Sequence, residues 1–317
     1  MKILANDGMS KSGVSALEKA GLTIITDKVP QDQLIEYINE NQIDVILVRS
    51  ATTVRTNLID ACPSIKIIGR GGVGMDNIDV EYARSKGIKV INTPGASSHS
   101  VAELVFAHFF GMARFLHDSN RNMPLEGDTN FDGLKKSYAK GTELKGKTLG
   151  IIGFGRIGKA TAKIGLGLGM KVITNDKYDT PQQIELEFFD GQKLNFDIKR
   201  VSIEELLANS DFVSLHVPAQ KEYIIGAKEL EMMKTGSFLV NAARGGVVDE
   251  VSLVKALETG KIRGVALDVF EKEPQPEMQL LMNPNLSLTP HIGAATVEAQ
   301  DRIGTELAEQ IIELSKV

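Results

Sequence analysis

A chain of 317 residues with 42% hydrophobic content and no low-complexity tract is long enough for two domains, each with its own core. Its formal net charge is −5, and its 36 lysines and arginines are scattered. That excludes the concentrated basic footprint of a nucleic-acid surface, so no nucleic acid is expected as partner, while a local basic pocket for a small anion stays open.

The start, Met1 to Gly8, has too few apolar residues for a signal h-region and reads as a first strand. From Lys2 to Thr93, short β-branched runs at 3–5, 22–25, 44–48, 65–68 and 88–91 alternate with helical stretches. This pattern predicts a parallel, doubly wound α/β domain. It lacks a dinucleotide glycine fingerprint and is assigned to substrate binding. Cys62, the single cysteine, is expected at the end of a buried helix and cannot form an internal disulfide, which fits a reducing compartment, the cytoplasm.

The most apolar run, Val101 to Leu116, is interrupted by Glu103, His108 and Arg114 and is shorter than the roughly 20 residues that span a bilayer. It is expected to be part of a long buried helix over about 98–118, with no membrane partner. Its apolar residues occupy more than one face, which suits packing against a second subunit in a homodimer or homotetramer. A polar connector follows, and alternation of strands and helices resumes from Thr148 to about Leu288. Within it, residues 184–196 alternate with period two about Asp190-Gly191, the signal of an inserted hairpin that is either a surface ornament or a flap. A last helix over about 296–314 sets Ile303, Leu307, Ile311 and Leu314 near one face. It is predicted to return to the first domain, giving domains of 1–97 plus 290–317 and 98–289.

The chemistry begins at Gly153-Phe154-Gly155-Arg156-Ile157-Gly158, which follows the buried strand Leu149-Gly150-Ile151-Ile152 and opens a helix. Gly153 starts a tight turn, Gly155 leaves room for a pyrophosphate, and Gly158 lets the helix pack closely, with its amides facing the anion. Asp176 lies 18 positions past Gly158 at a strand end, where a carboxylate accepts ribose hydroxyls and repels a 2′-phosphate. NAD is therefore favoured over NADP, although Lys177 beside it could soften the repulsion. In the first domain the Arg70 to Asn77 loop follows a strand, and its successive amides could cradle a carboxylate. His99 and His108 fall on opposite helix faces, and no metal cluster is expected among the five histidines.

Three later stretches, Asn241-Ala242-Ala243-Arg244-Gly245-Gly246, Glu271-Lys272-Glu273-Pro274 and Thr289-Pro290-His291-Ile292-Gly293, supply an arginine, a glutamate and a histidine. Alone, each has a plain alternative: a surface ion pair, a loop carboxylate and a strand-end histidine. Their order behind the glycine fingerprint resembles the D-isomer-specific 2-hydroxyacid dehydrogenases over nearly the whole chain. The resemblance implies an α/β protein of two doubly wound parallel-sheet domains, a Rossmann NAD-binding domain inserted in a flavodoxin-like substrate-binding domain. It implies hydride transfer between NAD and a small anionic 2-hydroxy or 2-keto acid. Arg244 would hold the carboxylate and polarise the reacting oxygen, and His291 would act as general acid and base with Glu273 orienting it and favouring its protonated form. Gly153, Gly155, Arg156, Ile157, Gly158 and Asp176 would bind the dinucleotide. His216, Val217 and Pro218 would line its cleft, and Asp268 and the Ala242 backbone would contact the nicotinamide amide.

Within the family, Val48-Arg49-Ser50-Ala51-Thr52, the Arg70 to Asn77 loop, Gly141 to Thr148, Asn241 to Glu250 and Leu267-Asp268-Val269-Phe270 resemble the phosphoglycerate dehydrogenase branch. That branch oxidises 3-phosphoglycerate to 3-phosphohydroxypyruvate, the opening of serine synthesis. Arg49, Ser50, Arg70, Gly72, Val73 and Gly74 are then the expected substrate-binding residues. Arg49 and Arg70 follow neighbouring predicted strands and should project from the carboxyl edge of the first domain toward a dianionic phosphate, unless they brace loops through nearby carboxylates. Lys136 and Lys140 are further candidates. The sequence stops after its last helix, so the C-terminal regulatory domain of many such enzymes is not expected, and Ala295 stands where the family often has serine. A glyoxylate or hydroxypyruvate reductase would share every catalytic residue, and an NAD-responsive corepressor-like scaffold would share the fold.

Overall fold

Residues 1–178 and 182–316 are described in a computed structural model of the chain. They divide into two compact units, Met1–Ser100 with Ala294–Val317, and Val101–Gly293. The second boundary falls after Gly293 and not before Pro290, so His291 belongs with the second unit, to which backbone bonds from Ile292 and Gly293 tie it.

The first unit contains β1 (Lys2–Ala5), β2 (Thr23–Ile25), β3 (Val45–Val48), β4 (Ile67–Arg70) and β5 (Lys89–Asn92), all parallel, in the order β2-β1-β3-β4-β5. Both faces of this sheet are covered, which is why its strands read as unbroken apolar runs. Ile3, Val45, Leu47 and Ile67 pack with Ala308 and Ile311 of the last helix, Val297–Leu314. Leu4, Ile46, Val48 and Ile68 pack on the other side with Leu34, Ile38 and Leu58. The last helix approaches helix Lys11–Lys19 so closely that a Cβ on Gly13 would lie 2.7 Å from the Gly304 carbonyl. β4 begins two residues later than the hydrophobic pattern suggested. Arg70 is consequently the last strand residue, directly opposite Val48, and not the first residue of the loop.

The second unit contains β6 (Thr148–Ile152), β7 (Lys171–Asn175), β8 (Gln183–Glu187), β9 (Lys193–Asp197), β10 (Lys199–Arg200), β11 (Phe212–Leu215), β12 (Ser237–Asn241), β13 (Ile262–Leu267) and β14 (Leu286–Leu288). Seven of these form a parallel sheet, β10-β7-β6-β11-β12-β13-β14. Chain order runs outward in both directions from β6, so the β6/β11 boundary is the switch point at which such sheets take ligands. β8 and β9 pair separately as an antiparallel hairpin whose turn places Gly191 at φ 85°. Ile184 is buried beneath it, whereas Phe188, Phe189 and Leu194 are exposed.

The helix expected over 98–118 is two helices. Ser98–Ala113 stops, Phe115 takes a left-handed conformation at φ 54°, and a separate helix, Leu116–Glu126, begins. The strain at Phe115 is offset by packing, since its ring lies 5.9 Å from that of Tyr138 and 5.4 Å from the Arg263 guanidinium. The expected polar connector therefore contains that second helix and another, Phe131–Ser137. Behind the break, Phe109 meets Phe212 edge-on at 5.1 Å, and Phe212 stacks on Phe238 at 4.9 Å, anchoring the first helix to the sheet. Among the described residues, no helix is long and apolar enough to cross a membrane.

Candidate active site

Two groups of residues gather at the carboxyl ends of the second sheet. The first surrounds the turn after β6. Gly153 stands at φ 90°, and a Cβ there would collide with the carbonyl of His216. A Cβ on Gly158 would collide with the carbonyl of Gly153, whereas one on Gly155 would meet nothing within 4 Å. The first bond of helix Arg156–Gly167 runs from the Lys159 amide to the Gly155 carbonyl at 2.9 Å, so the amides of Arg156, Ile157 and Gly158 have no helical acceptor. They form an anion-binding end. Asp176, just beyond β7, accepts from the Phe154 amide at 2.6 Å and from the Tyr178 amide at 2.9 Å. It therefore also ties down the glycine loop, a task its sequence position did not reveal.

His216 follows β11, with Nε2 3.1 Å from the Thr161 hydroxyl and 2.9 Å from the Ser214 hydroxyl. Burial pushes its pKa down to about 3, which keeps the ring neutral. Its buried Nδ1 has no hydrogen-bond partner. An orphaned polar atom, an open position at Gly155 and unpaired helix amides together fit a dinucleotide, whose pyrophosphate residues 153–158 and whose ribose Asp176 would hold.

Arg200 was missed by sequence reasoning. β10 pairs with β7, and this register carries the guanidinium to the backbone carbonyl of Asp176 at 2.6 Å. A cation is thus held beside Asp176, while Lys177 lies over the Tyr178 ring at 5.0 Å. Replacing Asp176 by Asn keeps an acceptor for the Phe154 amide and removes the charge. The NAD:NADP ratio of kcat/KM is expected to fall roughly 10-fold, the scale of one charged interaction. An unmoved ratio would assign cofactor choice to another residue.

The second group lies after the adjacent strands β12, β13 and β14. Asn241 clamps the first loop, its side chain donating to the Arg244 carbonyl at 2.9 Å and accepting from the Ala243 amide at 3.1 Å. A Cβ on Gly245 would collide with the Phe270 carbonyl, so glycine there brings Arg244 against the loop that carries Glu273. Glu273 accepts from the Phe270 amide at 3.0 Å and meets His291 Nδ1 at 2.8 Å. Burial alone would raise the Glu273 pKa. The His291 bond, the Phe270 amide and the His291 and Arg244 charges outweigh it and hold the carboxyl below its ordinary range.

Asp268, expected at the nicotinamide amide, also binds groups of its own chain. It is buried and accepts from the Thr289 hydroxyl at 2.7 Å and from the Ile292 and Gly293 amides at 2.8 Å each. Three of a carboxylate's roughly four acceptor positions are filled by its own chain. The buried Ala242 lies between β12 and Arg244. A carboxylate-bound imidazole next to a guanidinium is equipped to exchange a proton with a substrate hydroxyl while the arginine binds an anion.

The remaining candidates belong to the first unit. Asp7 accepts the Arg49 amide at 2.6 Å and both the amide and hydroxyl of Thr52, and Asn77 donates to the Arg49 carbonyl at 2.7 Å. Neither Asp7 nor Asn77 was singled out by motif. Ser50 is exposed, and Asn92 donates to the Val73 carbonyl at 2.8 Å. The Arg70 guanidinium occupies the space that a Cβ on Gly72 would take, so Gly72, at φ 145°, makes room for that arginine. Gly74 follows the bend at 71–73. Lys136 and Lys140 lie in the second unit, in and just after helix Phe131–Ser137.

A switch-point glycine loop in one of two doubly wound sheets defines the molecule as a dinucleotide-binding α/β protein. Residues 106–293 match the family model for the D-isomer specific 2-hydroxyacid dehydrogenase, NAD binding domain. The chain is 41% identical over 316 residues to hydroxypyruvate reductase of Thermotoga maritima, covering 98% of this chain and 97% of the relative. It is 42% identical over 313 residues to D-3-phosphoglycerate dehydrogenase of Methanocaldococcus jannaschii, covering 98% of this chain but only 57% of that longer protein. The crystal structure of D-lactate dehydrogenase from Aquifex aeolicus, complexed with NAD and lactic acid, superposes with a TM-score of 0.77 at 29% identity, covering 100% of this chain and 96% of that one. The chain belongs to the D-isomer-specific 2-hydroxyacid dehydrogenases, and its cofactor is NAD.

Proposed function

We propose that this dehydrogenase oxidises D-3-phosphoglycerate to 3-phosphohydroxypyruvate, a reaction that opens serine synthesis. The observation that carries the proposal is the pair of arginines at the ends of the neighbouring strands β3 and β4. Arg49 packs toward Gly71 and Arg70 over Gly72, and two arginines at adjacent strand ends suit a dianionic phosphate. Arg244 binds the substrate carboxylate and polarises the oxygen on C2. His291 Nε2, which has no hydrogen-bond partner among the described residues, takes the hydroxyl proton during oxidation and returns it during reduction. Glu273 holds the opposite ring nitrogen and stabilises the imidazolium. NAD, when bound, accepts the hydride from C2.

A second proposal is reduction of hydroxypyruvate or glyoxylate, favoured by the near-complete length match to the Thermotoga protein. Steady-state kinetics with 3-phosphohydroxypyruvate, hydroxypyruvate and glyoxylate separate the two. Arg49→Ala or Arg70→Ala is expected to raise KM for the phosphorylated substrate roughly 10-fold or more, the scale of a lost charged hydrogen bond, and to change hydroxypyruvate reduction little. Equal losses on both substrates would transfer the assignment to the reductase, and no turnover on any of the three would favour a scaffold. The proposal includes a homodimer or homotetramer, supported by exposed Leu116, Met123 and Leu125 on one helix, and a reducing, cytoplasmic setting, supported by the buried free Cys62.

A further inference from the structure

His291 occupies a left-handed backbone conformation at φ 56°, uncommon for a residue other than glycine. The amides of Ile292 and Gly293, immediately after it, both end on Asp268. Asp268 is tethered in turn by the Thr289 hydroxyl, and the other contact of that hydroxyl is Nε2 of His108, at 3.1 Å. His108 Nδ1 lies 2.9 Å from the Ser287 hydroxyl. All of these groups lie in the second unit.

The directions of donation follow from the carboxylate end. Thr289 spends its hydroxyl proton on Asp268, so its oxygen must accept from His108, which puts the ring proton on Nε2. His108 Nδ1 is then the acceptor for Ser287. Three hydrogen bonds, Ser287 to His108 to Thr289 to Asp268, thus point the same way and polarise one another toward the carboxylate. Burial lowers the His108 pKa, with the Asp268 charge acting in the opposite sense, and the ring stays neutral near neutral pH, as this tautomer requires.

We infer that His108 and Thr289 are positioning residues for the dehydrogenase reaction: through Asp268 they fix the amides of Ile292 and Gly293 and thereby the direction of the His291 ring. The inference rests on the acid–base role proposed for His291. His108 touches no reacting atom. It acts by holding the acceptor that shapes the turn, and a small displacement of a proton-transfer group costs rate far more than binding.

The test uses His108→Leu, Thr289→Val and Thr289→Ser in the full chain. His108→Leu and Thr289→Val are expected to lower kcat roughly 10-fold or more, with substrate KM and the NADH dissociation constant within about twofold of the parent. Amide exchange at Ile292 and Gly293 should accelerate in both. Thr289→Ser, which restores the hydroxyl, should recover kcat and slow exchange. The double variant His108→Leu/Thr289→Val should lose no more than the worse single one, because both cut one chain. Parental kcat in Thr289→Val, failure of Thr289→Ser to rescue, or multiplying losses in the double variant would overturn the inference. If His108→Leu does not fold, the Val/Ser pair at position 289 still decides. Substantial turnover by His291→Ala would refute the acid–base role instead, and the exchange rates would still show whether the turn depends on this chain of bonds.

Discussion

Replacement of His291 by Ala is expected to lower kcat roughly 10³-fold, within the range for loss of a general acid–base group, while NADH binding is unchanged. The expectation follows from the pair at 2.8 Å between Nδ1 and Glu273, which leaves the opposite nitrogen for substrate. NADH titration followed by fluorescence, together with steady-state kinetics, checks both halves. A variant that loses NADH affinity in proportion to kcat would place His291 in cofactor binding. Glu273→Gln separates orientation from charge, because the amide can still meet the ring. Glu273 is held below the ordinary carboxylate range in the fold, so its pairing is present above its unfolded pKa and is lost as pH falls through the folded one. Replacing the carboxylate by an amide should therefore remove from the kcat/KM profile the acidic limb that reports protonation of Glu273. A profile identical to that of the parent would remove Glu273 from the mechanism.

The parts of the molecule legible in the sequence are those set by local periodicity or by residues close together in the chain. Both doubly wound sheets were visible because parallel strands buried on two faces read as apolar runs, and the turn after β6 because its glycines and strand are contiguous. What was hidden depends on residues that meet only after folding. The break at Phe115 carries no glycine or proline signal, and it is stabilised by Tyr138 and Arg263, neither of them local. The Asp268 oxygens accept from groups 21 to 25 positions later, which no motif spacing announces. Arg200 reaches Asp176 only through the pairing of β10 with β7. Arg70 looked like a loop residue because its strand runs two positions past the last isoleucine.

The glycine loop offers a separation of binding from folding that a single substitution cannot. Gly158→Ala is expected to weaken NADH binding roughly 100-fold and to destabilise the protein, because its methyl would strike the Gly153 carbonyl. Overpacking against backbone costs about 1–3 kcal/mol, and relief requires helix Arg156–Gly167 to withdraw from β6, taking its amides with it. Gly155→Ala should behave differently. Gly155 sits at φ −73°, which any residue tolerates, and a Cβ there meets nothing within 4 Å, so the folded protein should be as stable as the parent. In the proposed dinucleotide site, the open space around it is where the pyrophosphate would approach the helix amides. A methyl in that space should cost a charged hydrogen bond, weakening NADH roughly 10-fold or more without a change in melting temperature. Thermal melts and NADH titrations on both variants check the pair. If Gly155→Ala binds NADH as the parent does, the dinucleotide does not use these amides. If Gly158→Ala melts as the parent does, the close contact with Gly153 is not what brings the helix to the sheet.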